Sequence, residues 1–440
     1  MPTLRPFRAL RYDPAAVGDL ADVISPPYDV ISPELQARLV ARHPRNSVRL
    51  DLPPSQPGDG PDDRYRRAAA AFVSWRTDGT LRKDLTPSLY VYEAAYRLPG
   101  DARERVQRGF FARLTLEPFG PGSGVLAHER TLGGPKADRL ALLSATGANF
   151  SPVVGLYRSP HGESGAILET ISAAEADASV VDDDGVRHRV WVVPAGARGD
   201  GGPVDRLIAM AEVGPIVIAD GHHRYATALE YRDGRGTRRA CTEDPPYETI
   251  FVLLFDLAAT ELTILPTHRV VDGEPTGEAL MSGLSALFEV ERRASGDDLI
   301  GAFSQPASSS EADITGLRIG VWSAGLAAVL RPGPDALDAL LDRQATPATR
   351  TLAVTVLETA MRAIYGLDQA AVARGERVRY VKGAAAAVDA AGPSGTAFLL
   401  DPTPATDVVR VAQAGELMPQ KSTYFSPKPV TGLLFAPGEW

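Results

Sequence analysis

Hydrophobic and polar positions along this chain alternate between two periods. Stretches rich in aromatic and β-branched residues favour strands, and amphipathic stretches with helical spacing lie between them. We expect strands at 88–98, 106–116, 187–194, 214–220, 248–257, 261–270, 317–330 and 396–400, and helices at 63–77, 136–149, 205–213, 222–233, 276–287, 335–343 and 349–364. Adjacent strands resemble hairpins, which favours mixed sheets over parallel ones. The pattern predicts an α+β protein with mixed β-sheets and flanking helices.

Stretches rich in Pro, Gly, Ser and Asp interrupt this pattern and favour loops or linkers. They lie at 55–63, 295–313 and 383–395. The length of 440 residues is that of two or three domains. We expect an N-terminal α/β segment at 1–150, a core at 151–295 and a C-terminal α/β segment at 314–440.

Composition narrows the classes of partner. The formal net charge is −9, which disfavours a broad nucleic-acid or membrane surface but allows a local basic pocket. Cys241 is the only cysteine, so a disulfide framework and a multi-cysteine metal site are excluded. No run of eighteen apolar residues and no secretory signal are visible, so we expect a cytoplasmic protein.

Lysine is scarce, since only five of the 46 basic side chains are lysines. Arginine cannot replace the compact ammonium group of lysine, so each lysine in this arginine-rich chain weakly indicates a specific role. Two of the five, Lys421 and Lys428, fall in one C-terminal segment.

The sharpest local signal is the run from Asp220 to Arg224, Asp-Gly-His-His-Arg, between an apolar strand and a predicted helix. The first N–H groups of a helix lack internal partners and carry partial positive charge. Cations in this turn oppose helix stability unless an anion lies between them and the N–H groups. Asp220 is expected at the N-cap, where it could also hold a metal or accept a proton. The alternative is an Asp-Gly turn with solvated histidines.

A second signal is the C-terminal run that contains Lys421, Ser422, Thr423 and Lys428. Ammonium and hydroxyl groups together suit phosphate oxygens. The glycines of a Walker A loop are absent. The alternative is a strap held by its aromatic side chains.

Three further segments contain candidate residues, each with a purely structural alternative. His128 and Glu129, on a loop before a helix, could supply a base or metal ligand, although the HExxH signature is incomplete. A proline-fixed turn, Pro26-Pro27-Tyr28-Asp29, presents a tyrosine and an aspartate, and a strand end presents His268 and Arg269.

Together these motifs resemble the uncharacterised-domain family numbered 1015. The resemblance rests on ADGHHRYATALEY, PPYDVI, HERT with KADRL, LPTHR and MPQKSTYFSPK. That family is grouped with ParB-like and sulfiredoxin-like proteins, which implies a ParB/sulfiredoxin-like core with additional segments. Free serine kinases of this group carry a DGHHR motif, which Asp220, Gly221, His222, His223 and Arg224 match.

The resemblance implies a phosphotransferase for a small hydroxyl compound, with free L-serine giving O-phosphoserine as the best candidate. Asp220, His222 and Glu129 are the expected catalytic residues. Glu129 is the expected base, with Asp29 as the alternative, and Asp220 is expected to hold Mg²⁺ or the acceptor hydroxyl. Phosphate or nucleotide binding is expected from Gly221, His222, His223, Arg224, Lys421, Ser422 and Thr423. Substrate binding is expected from Asp29, His128, Arg139, His268 and Arg269.

Magnesium is the expected cofactor, and the donor could be ATP, ADP, CTP or pyrophosphate. The alternatives are a nucleotide-binding regulator built like a ParB switch, and a phosphoester hydrolase. We expect small-molecule partners, neither nucleic acid nor membrane, and a homo-oligomer is compatible with the sequence.

Overall fold

The computed structural model describes residues 1–120, 122–129, 133–196, 199, 201–235, 245–259, 262–304, 316–333, 336–367, 371–372 and 376–438. These residues pack into two compact units. The first unit comprises Met1–Leu126, Thr131–Leu262 and Pro427–Trp440, and the second comprises Ala127–Arg130 and Thr263–Ser426. The three consecutive segments expected from the sequence stay a prediction.

The first unit contains eleven of the described strands and nine of the described helices. The strands are β1 Leu4–Arg5, β2 Leu10–Tyr12, β3 Leu81–Lys83, β4 Ser88–Tyr96, β5 Arg105–Thr115, β6 Val125–Leu126, β7 Val153–Tyr157, β8 Ala178–Val181, β9 Arg187–Pro194, β10 Ile216–Asp220 and β11 Thr249–Asp256. The helices are α1 Pro14–Val17, α2 Leu20–Val23, α3 Pro33–Arg42, α4 Val48–Asp51, α5 Asp63–Thr77, α6 Gly133–Thr146, α7 Glu163–Ser172, α8 Pro203–Ala211 and α9 His222–Gly234.

A nine-stranded mixed sheet forms the centre of the first unit. Its order is β6-β10-β7-β11-β5-β4-β9-β8, and β1 pairs with β5. β10 runs parallel to β6 and antiparallel to β7, which confirms the predicted mixed sheet. All residues of β4 and β11 are buried, as expected for near-continuous apolar strands covered on both faces. The core packs Ile218 of β10 and Tyr225 of α9 in one cluster, which fixes the strand and helix of the candidate site.

The C-terminal residues 427–438 pack into the first unit through backbone bridges. Thr431 pairs with Ser25, Phe435 with Leu10, and Ala436 with Asn149. Phe435 is fully buried in a second core cluster. These contacts fix the backbone around Lys428.

The second unit contains the remaining described strands and helices. The strands are β12 Thr263–Leu265, β13 His268–Asp272, β14 Phe288–Arg293, β15 Ile319–Ser323, β16 Leu326–Pro332, β17 Val378–Val381, β18 Gly395–Leu400 and β19 Tyr424–Ser426. The helices are α10 Gly277–Ser285, α11 Gly296–Phe303, α12 Ala336–Gln344, α13 Ala353–Tyr365, α14 Ala384–Ala391 and α15 Ala405–Gln413. Six strands form an antiparallel sheet in the order β14-β16-β15-β18-β13-β17, and β12 pairs with β19.

Most predicted elements are confirmed, including the strand pair β4 and β5, and three expectations need correction. The single strand expected at 261–270 is two strands of different sheets, β12 and β13, separated at Pro266, which cannot donate to a ladder. The loop expected at 383–395 contains α14, because its alanines favour helix strongly. The loop expected at 295–313 begins with α11, capped by Ser295. Its residues 305–313, like Cys241, lie outside the described residues.

Candidate functional site

The Asp-Gly-His-His-Arg run forms the predicted strand–turn–helix. Strand β10 ends at Asp220, and α9 begins at His222. Gly221 lies between them with φ 89°, a left-handed conformation that other residues rarely adopt. A Cβ at this position would lie 3.0 Å from the Arg224 guanidinium. The N-cap is therefore Gly221, and the expectation that Asp220 caps the helix is wrong, because the left-handed turn places the cap one residue later.

Both carboxylate oxygens of Asp220 accept hydrogen bonds from cations. Arg224 donates to Oδ2 at 2.7 Å, and Lys428 donates to Oδ1 at 2.7 Å. Burial alone would raise the pKa of Asp220, but Lys428 and Arg224 outweigh it and hold this pKa well below its usual range. Asp220 is therefore ionised near neutral pH, and it fixes two cationic side chains beside the helix N-terminus.

Lys428 joins two carboxylates. Its ammonium donates to Asp29 Oδ2 at 2.9 Å as well as to Asp220, and its side chain is only 8% exposed. Burial would lower the pKa of Lys428, but Asp220 and Asp29 outweigh it and raise this pKa above its ordinary value. We call Asp29, Asp220, Arg224 and Lys428 the Asp220 cluster.

The proline-fixed turn places Asp29 in this cluster and its neighbour Tyr28 beside it. Residues Tyr28–Val30 form a short 3₁₀ helix. The Tyr28 ring lies under two guanidinium groups, with Arg139 Cζ at 4.0 Å and Arg224 Cζ at 5.9 Å from its centroid. The face of an aromatic ring attracts cations, so Tyr28 helps to hold both arginines through cation–π contacts.

Arg139 is engaged by nearby groups of the first unit. It is 5% exposed, and it donates to the backbone and side chain of Asp51 and to Asp138. A cavity of about 40 Å³ is lined by Arg139, Arg224 and Asp51, among others. This volume is enough for one or two water molecules but not for a nucleotide. The role of Arg139 in substrate binding stays a prediction.

The two histidines occupy the first turn of α9. His222 is 8% exposed, and His223 is half-buried. No side chain caps this helix, since glycine has none to offer. The structure thus brings together, within the first unit, the predicted residues Asp29, Asp220, Gly221, His222, His223 and Arg224.

The second unit holds His128, Glu129 and the Lys421–Thr423 run. His128 is fully buried, and its Nε2 lies 3.2 Å from Thr423 Oγ1. Glu129 forms a backbone bridge with Met418. Lys421 is exposed with φ 55°. The expectation that Lys421 joins the phosphate site of α9 stays a prediction.

His268 and Arg269 are both buried in β13. The Leu400 N–H donates to His268 Nδ1 at 3.1 Å. Burial, reinforced by Arg269, lowers the pKa of His268 to about 4, so this ring is neutral. Arg269 donates to the Thr267 carbonyl, and at 3.2 Å to the carbonyls of Gln420 and Lys421.

The sequence singles out the segments that contain Lys428 and Tyr28 but assigns neither residue a role in the site. The scarcity of lysine marks both Lys421 and Lys428, but the resemblance gives a role to Lys421 alone. Tyr28 lies within the proline-fixed turn, of which only Asp29 is an expected site residue. The signals were therefore present, but the pairing of residues 29, 220 and 428 depends on the fold.

The described residues also bear on metal binding and on membranes. No group of three or more His, Cys, Asp or Glu side chains is placed to hold a metal ion in the described part of the chain. None of the described helices combines the length and hydropathy needed to cross a bilayer.

Comparison with known proteins gives a family and weak structural similarities. The family model described as "Protein of unknown function (DUF1015)" matches residues 4–338, which confirms the family resemblance of the sequence. No curated protein matches the chain.

Three solved structures illustrate the similarities. A mutant free serine kinase in complex with ADP is 10% identical, with a TM-score of 0.34, over 69% of this chain and 84% of that one. A conserved hypothetical protein from Pyrococcus furiosus is 12% identical, with a TM-score of 0.33, over 69% and 87%. C-terminally truncated SbnI from Staphylococcus aureus is 10% identical, with a TM-score of 0.35, over 71% and 83%. Scores this low carry no argument about function.

Proposed function

The chain belongs to the family described as "Protein of unknown function (DUF1015)", and we propose that it is a phosphotransferase that acts on the hydroxyl group of a small metabolite. The best candidate for the acceptor is free L-serine, with O-phosphoserine as product. The observation that carries the proposal is the first turn of α9, where His222, His223 and Arg224 follow the left-handed Gly221 directly.

This turn has the properties of a phosphate site. Side chains that can carry positive charge are unfavourable at a helix N-terminus, which itself has partial positive charge. A phosphate group reverses that penalty, because it accepts from the N–H groups and is attracted to the cations. The Asp220 cluster holds two carboxylates for its two cations, so its formal charges cancel. The excess of positive charge at the turn is therefore small and comes from the helix N-terminus. A small excess favours a small anion over a polymer.

We assign the donor's phosphates to Gly221, His222, His223 and Arg224, with Lys421, Ser422 and Thr423 as further predicted ligands. Most catalysis of phosphoryl transfer is positioning and electrostatic stabilisation, which such groups provide. Lys428 is an addition to the predicted set, because it fixes Asp220 beside the turn. The donor could be ATP, ADP, CTP or pyrophosphate.

Magnesium would enter bound to the donor's phosphates and one or two carboxylates. Asp220 is the predicted ligand, but Arg224 and Lys428 each donate to one of its oxygens, so a metal there would share an oxygen with one of these cations or displace it. Asp29 is the second carboxylate, and its side chain is 30% exposed.

In the proposed reaction the serine hydroxyl oxygen attacks the terminal phosphorus of the donor. A new P–O bond forms, the bond to the donor's leaving oxygen breaks, and the hydroxyl proton passes to a carboxylate base. Glu129 is the proposed base, and Asp29 is the alternative.

The direct test incubates purified protein with serine, Mg²⁺ and each donor, and measures phosphoserine by mass spectrometry. The reverse reaction from phosphoserine is measured in parallel. If Glu129 is the base, Glu129→Gln lowers kcat at least 100-fold with little effect on donor binding, whereas Asp29→Asn does not. The opposite pattern assigns the base to Asp29.

The same assay separates the two alternatives. Nucleotide binding without turnover in either direction identifies a regulator. Release of inorganic phosphate from a phosphoester, without transfer to serine, identifies a hydrolase. Either result overturns the kinase proposal.

A further inference from the structure

Arg269 is a buried cation whose hydrogen bonds all go to neutral groups. It is 2% exposed, and among the described residues its partners are the carbonyls of Thr267, Gln420 and Lys421. No carboxylate lies within salt-bridge distance of it in the described part of the second unit. Burial accordingly lowers the pKa of Arg269. Because no carboxylate among the described residues neutralises the guanidinium of Arg269, its positive charge is available to attract an anionic ligand.

Tyr380 lies beside Arg269 with an unsatisfied hydroxyl. The two residues are directly opposite each other on the antiparallel strands β13 and β17, and Arg269 Cζ lies 5.2 Å from the Tyr380 ring centroid. The Tyr380 hydroxyl is buried, and it has no hydrogen-bond partner among the described residues. A buried donor without a partner costs stability, which is a reason to expect a ligand there.

The charges of two glutamates reach the same pair. The charges of Glu358 and Glu129 both act on Arg269 and on Tyr380, although neither glutamate forms a salt bridge with Arg269. Glu358 lies on α13, and Glu129 lies in the segment bridged to Met418. Arg269 and Tyr380 are in contact, and the two carboxylates that act on them come from two further segments of the second unit. We call Arg269, Tyr380, Glu129 and Glu358 the Arg269 cluster.

We propose that the Arg269 cluster is the binding site for a zwitterionic hydroxy amino acid. Arg269 and Tyr380 hold the ligand's carboxylate, Glu358 holds its ammonium group, and Glu129 accepts from its hydroxyl. This assignment rests on the proposed function, because it concerns the acceptor of the phosphoryl group. Tyr380 and Glu358 become specificity residues that the sequence did not indicate.

The first experiment measures binding to the full chain by calorimetry, without any phosphate donor. L-Serine and L-alanine share the carboxylate and the ammonium group, ethanolamine lacks the carboxylate, and 3-hydroxypropionate lacks the ammonium group. We expect serine and alanine to bind, and the other two ligands to bind at least tenfold more weakly. Equal binding of all four ligands, or no binding of serine, overturns the proposal.

The second experiment compares two tyrosine variants of the second unit. Tyr380→Phe removes a hydroxyl without a partner, so Tm should not fall, but the Kd for alanine should rise at least fivefold. Tyr365→Phe is the matched control, because the Tyr365 hydroxyl donates to Thr396 Oγ1 at 3.2 Å. It should lower Tm and leave the Kd unchanged. An unchanged Kd in Tyr380→Phe contradicts the assignment.

Glu358→Gln tests the ammonium contact. It should weaken alanine binding at least tenfold, while the Kd of 3-hydroxypropionate stays the same or falls. An equal loss of affinity for alanine and 3-hydroxypropionate would contradict the contact between Glu358 and the ammonium group.

Failure of this inference and failure of the proposed function give different results. Alanine binding that depends on Tyr380 and Glu358, without any phosphoserine formation, supports the site and rejects the kinase. Phosphoserine formation with a serine KM unchanged in both variants supports the kinase and rejects the site.

Discussion

Lys428 shows how much one side chain contributes to the Asp220 cluster. Its ammonium is shared by Asp29 and Asp220, and its side chain is 8% exposed. Lys428→Met would leave the carboxylates of Asp220 and of the more exposed Asp29 without their common cation. We expect a loss of about 2–3 kcal/mol in the free energy of unfolding, somewhat less than for a fully buried pair.

Urea denaturation measures this loss, and Lys136→Met is the matched control. Lys136 pairs with Glu230, but these side chains are 35% and 47% exposed, so its loss should be below about 1 kcal/mol. Equal losses of unfolding free energy in the two variants would contradict the claim that Lys428 stabilises the fold more than an exposed lysine does.

His268 makes the second unit sensitive to acid. Its ring is neutral in the folded state, because burial and Arg269 lower its pKa to about 4, whereas the unfolded chain takes up a proton near pH 6.5. The folded pKa lies below the unfolded one, so stability is full above about pH 6.5 and falls as the pH drops towards 4. From pH 7 to pH 5 we expect a loss of about 2 kcal/mol from this group.

His268→Asn tests this dependence, because its side-chain oxygen can accept from the Leu400 N–H as Nδ1 does. Denaturation curves at pH 7 and pH 5 should differ by about 2 kcal/mol less in the variant than in the natural chain. The same difference in both proteins would mean that His268 is not the responsible group.

At the scale of elements, the backbone conformation of the turn between β10 and α9 determines whether the phosphate donor can bind. Gly221→Ala forces a Cβ into a left-handed conformation and within 3.0 Å of the Arg224 guanidinium. We expect a stability loss of about 1–2 kcal/mol and at least tenfold weaker binding of the phosphate donor, because Arg224 must move.

Gly185→Ala is the control for this variant. Gly185 has φ 77°, but nothing lies within 4 Å of the added Cβ. Its stability loss should be similar, and donor affinity should be unchanged. Donor affinity retained in Gly221→Ala would argue against a phosphate site at this turn.

The same turn shows where sequence patterns are sufficient. An apolar run, a glycine and an amphipathic run are each local, so the strand, turn and helix from Ile216 to Gly234 could be predicted from the residues alone. The tract at 383–395 combines loop-forming glycines with helix-forming alanines, and the alanines decide its structure. In the segment 261–270 one proline separates strands of two sheets, which the apolar pattern does not show.

At the scale of the whole molecule, the site depends on contacts that no local pattern contains. Asp29, Asp220 and Lys428 meet because the C-terminal segment pairs with Ser25 through Thr431, and with Leu10 through Phe435. Lysine scarcity singled out Lys428, but its partners are 399 and 208 residues away in the chain. The Arg269 cluster likewise draws on four segments, which is why Tyr380 and Glu358 had no signal in the sequence.

A crystal structure with a phosphate donor and Mg²⁺ bound tests the central claim most directly. We predict terminal phosphate oxygens within about 2.7–3.2 Å of the backbone N–H groups of His222 or His223, with the Arg224 side chain turned towards the same phosphate. A donor whose phosphates bind elsewhere on the chain, with the first turn of α9 in contact with water alone, would contradict the account.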